Sequence, residues 1–313
     1  MKQVSLALNL STKKTRKREF REQMGKVVPW AVLVGVVEPH WRKSNAFRPP
    51  FAIKTMLLIH YWQQWFGLSD PAMEEALHDM TMYREFAKHD GLLDRLPDES
   101  TILRFRHLLE KRDLATDMLA YKGLLLKSGT AVDAALISAR SSTKDAESMP
   151  DPEMNRTKKG NQWYFGMKAH IGVTANSGLV HSVEGTSATV NDVTRVRKLL
   201  RRQGTDALAD AGSQGAHKQP EAKAGVSRHA PLHPSKPKVL DLTHPVDVLN
   251  DKVERIKASI RAKVEHPFGG IKKQLDHVKA RYRELKKKTV QLQTHFTLSN
   301  LWMARGKLMA RGA

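Results

Sequence analysis

Three charged side chains on one predicted helix have the types and spacing that phosphate chemistry requires. The periodicity predicts a long helix from about Pro245 to Leu275. At about 100° per residue, Arg261, Glu265 and Lys272 fall within roughly 40° of one helical meridian. A carboxylate held between two cations suits a place where a metal ion and phosphates meet. The alternative is an ordinary solvated face on which Arg261 pairs with Glu265.

Two aspartates in strand-like settings extend this pattern. Asp133 lies in the middle of a predicted strand over residues 129–138, where aspartate is disfavoured. Asp210 ends a predicted strand over residues 206–210, where a chain leaving a sheet would open a crevice. Each acid alone has an ordinary explanation as a strand-edge Asp, a turn Asp or a surface Glu. The acids are far apart in sequence, so local structure cannot explain all three.

Together, the three carboxylates match a demand of phosphoryl transfer. Two hard divalent cations need several carboxylate oxygens, and Mg²⁺ prefers oxygen ligands. One metal activates water or a 3′-hydroxyl, the other stabilises the leaving oxygen, and nearby Lys and Arg neutralise the growing charge. The histidines between residues 217 and 244 lack ligand spacing. A zinc hydrolase is therefore disfavoured.

The composition narrows the class of protein. Among 313 residues, 53 Lys and Arg oppose 32 Asp and Glu, which gives a net charge of +21 and indicates a polyanionic partner, most often nucleic acid. Cysteine is absent, which excludes disulfides, thiol nucleophiles and iron–sulfur clusters. No apolar run is long enough to span a bilayer, so we expect a cytoplasmic protein, associated with the nucleoid and not with a membrane.

The amino-terminal part, to about residue 115, is predicted to be helical. Asp70 and Pro71 would cap and start one helix with an apolar stripe of Met73, Ala76, Leu77 and Met80, and residues 101–111 form another. These helices are either a helix-turn-helix that reads DNA or, more commonly, a plain bundle. Trp62, Trp65 and Phe66 would stack on a flipped base or, by the simpler interpretation, fill the core.

The rest of the chain is predicted to be an α/β domain with a mixed sheet. Strands are expected at residues 129–138, 163–173, 179–183 and 206–210, with irregular segments at 140–161 and 216–244. Helices are expected after Asn191, at 245–275 and at 290–309. Lys168 and His170 share one face of the second predicted strand. They would contact a phosphate or orient a carboxylate, unless they are ordinary polar surface residues.

Several longer motifs resemble one known family. They are Phe47-Arg-Pro-Pro50, Tyr61-Trp-Gln-Gln-Trp-Phe-Gly-Leu-Ser-Asp70, Thr130-Ala-Val-Asp133, Gly166-Met-Lys-Ala-His170, Ala209-Asp-Ala-Gly212 and Val264-Glu-His-Pro-Phe268. By these motifs, from about residue 25 to the end, the chain resembles bacterial insertion-sequence transposases of the Asp-Asp-Glu (DDE) class, in the insertion sequence 5 group. Arg261, Glu265 and Lys272 match the family's helix signature.

The resemblance implies a fold, a site and an activity. The fold is a ribonuclease H-like mixed sheet with flanking helices over residues 121–313, preceded by a helical domain at 1–120 for DNA-end binding and oligomerisation. Asp133, Asp210 and Glu265 bind two Mg²⁺ ions, replaceable by Mn²⁺, supported at the DNA phosphate by the cationic or polar groups Lys168, His170, Arg261 and Lys272. The activity implied is cleavage of double-stranded DNA at terminal inverted repeats and joining of the 3′-hydroxyl to target DNA, by a homodimer.

Departures from the family pattern leave alternatives open. Ala258 occupies the tyrosine slot of the helix signature, Ser213 replaces an aromatic residue, and Arg140 stands where a proline is common. None of these changes removes a predicted metal ligand. The alternatives are a ribonuclease H-like nuclease or resolvase that cuts without joining, and a decayed, non-catalytic copy that still binds DNA.

Overall fold

The computed structural model describes residues 16–41, 49–80, 95–119, 130–139, 151–200, 206–208, 227–229, 243 and 245–311. Over these residues the chain forms a mixed α/β sheet flanked by helices, preceded by a helical region, as the sequence predicts. None of the described helices is long and apolar enough to cross a membrane. One continuous cluster of buried apolar side chains extends from the amino-terminal helices to the sheet.

In the described residues, six helices form the amino-terminal region. They are α1 (Arg16–Val27), α2 (Trp30–Val37), α3 (Ile53–Phe66), α4 (Asp70–Asp79), α5 (Glu99–Lys111) and α6 (Leu114–Leu119), with a 3₁₀ turn at Glu38–His40. Helix α3 is central, because every residue from 56 to 65 is buried. Trp62 and Trp65 are 0% and 4% exposed, so they pack in the core. This burial confirms for Trp62 and Trp65 the simpler interpretation, that they fill the core, over the alternative that they stack on a flipped base.

The start of α4 differs from the prediction in one detail. Ser69, not Asp70, is the N-cap, because its hydroxyl accepts the N–H of Ala72 at 3.3 Å. Asp70 instead accepts hydrogen bonds from Arg106 at 2.8 Å and from Gln63 at 2.9 Å. Met80 was expected on the apolar stripe but lies just past the helix and is 52% exposed.

Helix α5 buries one of its faces against the neighbouring helices of a bundle. Asp98 caps it by accepting the N–H of Thr101 at 2.7 Å. The guanidinium of Arg106 is buried between Asp70 and Glu110, over the ring of Tyr282 at 4.4 Å. Because Arg106 is occupied by these partners, it is not available to read DNA. Helix α5 packs against α3 and α4, as the bundle interpretation expects.

The sheet contains six strands in the described residues. They are β1 (Thr130–Ser138), β2 (Asn155–Lys159), β3 (Gln162–Thr174), β4 (Val180–Ser187), β5 (Asp206–Leu208) and β6 (Ser227–His229). Strand β3 pairs antiparallel with β1 on one side and with β2 and β4 on the other. Strand β5 pairs in parallel with both β1 and β6. The resulting order β4-β3-β1-β5-β6 is the ribonuclease H-like arrangement.

Two strands and one helical turn were not predicted. Strands β2 and β6 lie in segments predicted to be irregular. After β4, a 3₁₀ turn at Asp192–Arg195 precedes a short helix, α7 (Val196–Leu199). The long predicted helix is α8 (Pro245–Gln274), and the final helix is α9 (Leu285–Arg311), which begins five residues before the predicted start at 290.

Helix α9 joins the sheet to the amino-terminal helices. It packs against β4 on one side and against α1, α3 and α6 on the other. The side chain of Asn300 binds both main-chain groups of Val180, accepting from its N–H at 2.8 Å and donating to its carbonyl at 2.7 Å. Gly185 permits the close approach, since a Cβ there would collide with Thr289. The edge strand β4 is thereby covered by a helix.

A buried ion pair fixes the first turns of α9. Lys288, whose side chain is 1% exposed, places Nζ 2.5 Å from Asp151 at the start of the β2–β3 hairpin. The carboxylate of Glu153 accepts the N–H of Leu285 at the helix start. The lysine-rich sequence of residues 286–288 is typical of a solvated surface, but the ammonium of Lys288 is turned into the protein.

We predict that Lys288→Met strongly destabilises the fold, because it leaves Asp151 buried without its cation. Breaking a buried pair in this way costs about 3–5 kcal/mol of unfolding free energy. Urea denaturation provides the measurement. Lys287→Met is the matched control, since Lys287 pairs with Glu284 at the surface and should lose no more than about 1 kcal/mol. Equal losses from both variants would contradict the buried-pair assignment.

Three buried histidines lie where α3, α9 and the α8–α9 connection meet. The rings of His277 and His295 are 4.4 Å apart, and His60 is close enough to influence the charge of His295. Burial lowers the pKa of His60 and of His277 to about 4, and it holds the pKa of His295 well below its ordinary value. The cations Arg106 and Arg281 act in the same direction, while Asp70 opposes them at His60.

We predict that acid weakens the fold through these histidines. In the unfolded chain these histidines become protonated below about pH 6.5, whereas in the folded chain His60 and His277 become protonated only near pH 4. The unfolding free energy therefore has its full value above pH 6.5 and decreases as the pH falls from 6.5 to 4. The expected loss at about pH 5 is roughly 2 kcal/mol for each of His60 and His277. Urea titrations at several pH values measure this. His277→Asn should flatten the dependence, exposed His266→Asn should not, and a wild-type stability that does not fall would refute the prediction.

Candidate functional site

A charged cleft lies beside β1. Its volume is about 520 Å³, and residues 132–136 of β1 form one wall. The charged side chains that border it are the acids Asp133, Asp192 and Glu265 and the cations Lys158, Lys168 and Arg261, together with His170. Five residues predicted from the sequence therefore border one cleft: Asp133, Lys168, His170, Arg261 and Glu265.

Asp133 lies in the middle of β1 and is half-buried. Its carboxylate accepts the N–H of the next residue, Ala134, at 2.8 Å, so it lies against the backbone of its own strand. In the register of β1 with β3, Asp133 faces Ile171, whereas Ala134 faces His170 and Leu136 faces Lys168. Successive side chains alternate between faces, so Asp133 and the Lys168–His170 pair point to opposite faces. All three residues nevertheless border the same cleft.

Helix α8 contributes Arg261 and Glu265. Both side chains are exposed, one helical turn apart, whereas Val264 and Phe268 are 4% and 6% exposed and pack in the core. The helix thus presents charge to the cleft and apolar groups to the sheet, as its sequence pattern predicts. Lys272 does not border the cleft. It shares the meridian of Glu265 but lies about 10 Å further along the axis.

Lys168 is held in place by two oxygen atoms. Its ammonium donates to the carbonyl of Val190 at 2.9 Å and to the carboxylate of Asp192 at 3.1 Å. Asp192 begins the 3₁₀ turn after β4 and is 49% exposed. Asp192 follows Asn191 at the start of a predicted helix, where an aspartate is typical of a cap. Its contact with Lys168 depends on the β3–β4 pairing, which local sequence does not reveal.

His170 is buried, 1% exposed, on β3. Its Nε2 lies 2.8 Å from the hydroxyl of Thr186, which itself donates to the carbonyl of Ser187 at 3.1 Å. The hydroxyl therefore accepts a hydrogen bond from the Nε2–H of a neutral ring, and Nδ1 lies 3.7 Å from a carboxylate oxygen of Asp192. Burial lowers the pKa of His170 to about 4, against the opposing effect of Asp192. The interpretation as an ordinary surface residue is wrong, because the ring is enclosed.

The donor set of the cleft fits a hard divalent cation. Asp133 and Glu265 supply carboxylate oxygens, and no cysteine is present in the sequence. Within the described part of the chain, no group of three acids or histidines is close enough to bind a metal by itself. The third predicted ligand, Asp210, lies outside the described residues, as do residues 140 and 213.

The fold and the cleft define a class: ribonuclease H-like proteins with acids at the central strand of the sheet. Residues 125–301, more than half of the chain, match the family model described as a transposase DDE domain, and residues 8–108 match a transposase domain (DUF772). The chain therefore belongs to the DDE transposase family and is a DNA transposase. The family consists of DNA-cutting and joining enzymes that generally use divalent metal ions.

A comparison with solved structures matched the chain to the cryo-EM structure of a piggyBac transposase synaptic complex with hairpin DNA. The two chains are 10% identical, and the match covers 93% of this chain and 73% of that one with a TM-score of 0.42.

We predict that Thr186→Val destabilises the fold, because it removes the acceptor for the buried Nε2–H of His170. A buried donor left without a partner costs about 1–3 kcal/mol. Chemical denaturation measures the loss. Thr189→Val is the matched control, since Thr189 is exposed and its change should stay within about 0.5 kcal/mol. If the two variants were equally stable, the hydrogen bond would not hold His170.

Proposed function

We propose that this transposase cleaves double-stranded DNA at terminal inverted repeats and joins the 3′-hydroxyl ends to target DNA. The observation that carries the proposal is that Asp133 on β1 and Glu265 on α8, distant in sequence, border one cleft with Lys168 and Arg261. Two carboxylates and two cations at one place suit a phosphodiester and divalent metal ions together. Asp133, Asp210 and Glu265 are the proposed ligands of two Mg²⁺ ions, with Mn²⁺ as a substitute.

Asp210 is proposed from its place in the sequence after β5. Ala131 of β1 pairs in parallel with Leu208 of β5. Asp133 and Asp210 each follow one member of this pair by two positions in the sequence. This supports Asp210 as the third acid.

The protein's own groups have separate roles in the proposed reaction. When bound, the divalent ions would activate the attacking oxygen and stabilise the leaving oxygen. Arg261 and Lys168 bind the scissile phosphate and offset the negative charge that grows on it. Asp192 and the carbonyl of Val190 fix the ammonium of Lys168, so little reorganisation is needed when DNA binds. His170, held neutral and hydrogen-bonded to Thr186, forms the floor beside Lys168.

The remaining assignments extend the same proposal. The helical region, residues 1–120, binds the DNA ends and mediates oligomerisation, and residues 121–313 carry out catalysis, with two copies acting as a homodimer. The chain belongs to the insertion sequence 5 group on its motifs. Lys272, which lies beyond the cleft, contacts DNA further along the duplex. The net charge of +21 supports a long contact with DNA.

We predict that Asp133→Asn abolishes transposition while leaving DNA binding intact. The assay uses a donor plasmid that carries the gene with its native flanking DNA, and it scores excised and joined products. Activity should fall at least about 1000-fold, since a metal ligand is lost, while a mobility-shift assay gives unchanged affinity. Asp117→Asn, an exposed change on α6, is the matched control and should remain active. Cleavage by Asp133→Asn would refute the assignment.

Metal binding gives a readout that does not require activity. Mn²⁺ should raise the melting temperature of the wild-type protein, because it binds only the folded state. The rise should disappear in Asp133→Asn and in Glu265→Gln and persist in Asp117→Asn. Cleavage without joining of pre-cut ends would favour a nuclease or resolvase. DNA binding without either activity or metal response would favour a decayed copy.

A further inference from the structure

In the described part of the chain, the β2–β3 hairpin extends past the end of β1. Strand β1 pairs with β3 from Gly166 onward, and the N–H of Ala139 donates to the carbonyl of Phe165 at 2.9 Å, so among the described strands residues 162–164 pair with β2 only. Lys159 and Gln162 form the last pair, which leaves a two-residue turn. Gly160 opens this turn with a φ of +61°, a conformation that favours glycine. We call this hairpin, residues 155–165, the arm, and its register is defined by these pairs.

One face of this arm combines cations with an exposed aromatic ring. In the antiparallel register Lys158 is opposite Trp163, and Arg156 is opposite Phe165. Directly opposed residues lie on the same face, and so do residues two apart on one strand. Arg156 and Lys158 are exposed, and Trp163 is 66% exposed.

Trp163 is unusual among the six tryptophans of the chain, all of which are described. The other five are buried or half-buried, including Trp62 at 0% and Trp65 at 4% exposure. An indole left mostly in water contributes little to the core, and exposed aromatic groups mark binding surfaces. The exposure of Trp163 is therefore better explained by a ligand than by folding.

The arm lies next to the candidate active site. Thr157 and Lys158 border the same cleft as Asp133 and Glu265. The acids at the base of the arm do not neutralise its cations, because Asp151 binds Lys288 and Glu153 binds the N–H of Leu285. The exposed face of the arm thus continues the cationic border of the cleft.

We propose that this face binds the DNA strand beside the cleavage point, with Trp163 stacking on an unpaired base and Arg156 and Lys158 contacting its phosphates. The inference rests on the proposed function and adds a specific contact to it. Every base offers a π-face to an indole, and neighbouring cations hold the backbone, which is how single-stranded segments are bound without sequence preference. An unpaired end, more than a perfect duplex, presents a base in this way.

The test compares two DNA probes with the full-length protein. One is a blunt duplex, and the other is the same duplex with a short single-stranded thymidine overhang. Trp163→Ala should weaken binding of the overhang probe about 10-fold and change blunt-duplex binding less than about 2-fold. Trp163→Phe should keep most of the affinity but lose the quenching of tryptophan emission that the overhang causes. Gln162→Ala, exposed on the opposite face, is the control and should behave as wild type.

The outcomes separate this inference from the proposed function. Unchanged melting temperature and circular dichroism in Trp163→Ala establish that the variant is folded. Equal loss on both probes, or no loss on either, overturns the stacking contact while leaving the transposase assignment intact. Loss of self-association with unchanged DNA affinity assigns the face to a protein contact and also overturns it. If the wild-type protein binds neither probe, the proposed function itself fails.

Discussion

The pairing of β1 with β3 and β5 is the constraint on which the cleft depends. Nine register pairs between β1 and β3 fix Asp133 opposite Ile171, and the parallel pairing of Ala131 with Leu208 fixes the other side of β1. A slip of one residue would exchange the faces of Asp133 and Ala134 and turn the carboxylate away from its present position. The buried residues Ala131 and Ile137 oppose such a slip, because they would lose their place in the core.

The parts of the fold that follow from local pattern were predictable from the sequence. Strands β1 and β3 and helix α8 have strong periodicity, and each lies close to its predicted range. Strand β2 was missed because Asn155-Arg-Thr-Lys-Lys159 has no apolar alternation, and only its pairing with β3 makes it a strand. The first turn of α9 was missed for a related reason. Its lysine-rich sequence looks solvated, while the partner of Lys288 is Asp151, 137 residues earlier in the chain.

The candidate site was predictable to the same extent. Helical periodicity gives the direction of a side chain, and neighbours one turn apart such as Arg261 and Glu265 reach the same cleft. The direction of a side chain does not give its position along the helix axis. Lys272 therefore points to the same side of the helix as Glu265 but lies outside the cleft. The contact of Lys168 with Asp192 and the burial of His170 depend on how β4 and the turn after it fold back over β3. No short stretch of sequence contains that information.

Glu265, a proposed metal ligand, must be accessible to DNA and also be held in place, and α8 satisfies both demands. The first half of the helix has weak anchorage, since Val246, Leu249, Val253 and Ile256 are 48–61% exposed. From Val264 onward the apolar stripe is buried against the sheet and α9, with Phe268 edge-on to Phe296 at 5.5 Å. Glu265 therefore lies at the point where the helix becomes fixed. Its side chain faces the cleft, while the buried residues near it hold its backbone in a fixed position beside β1.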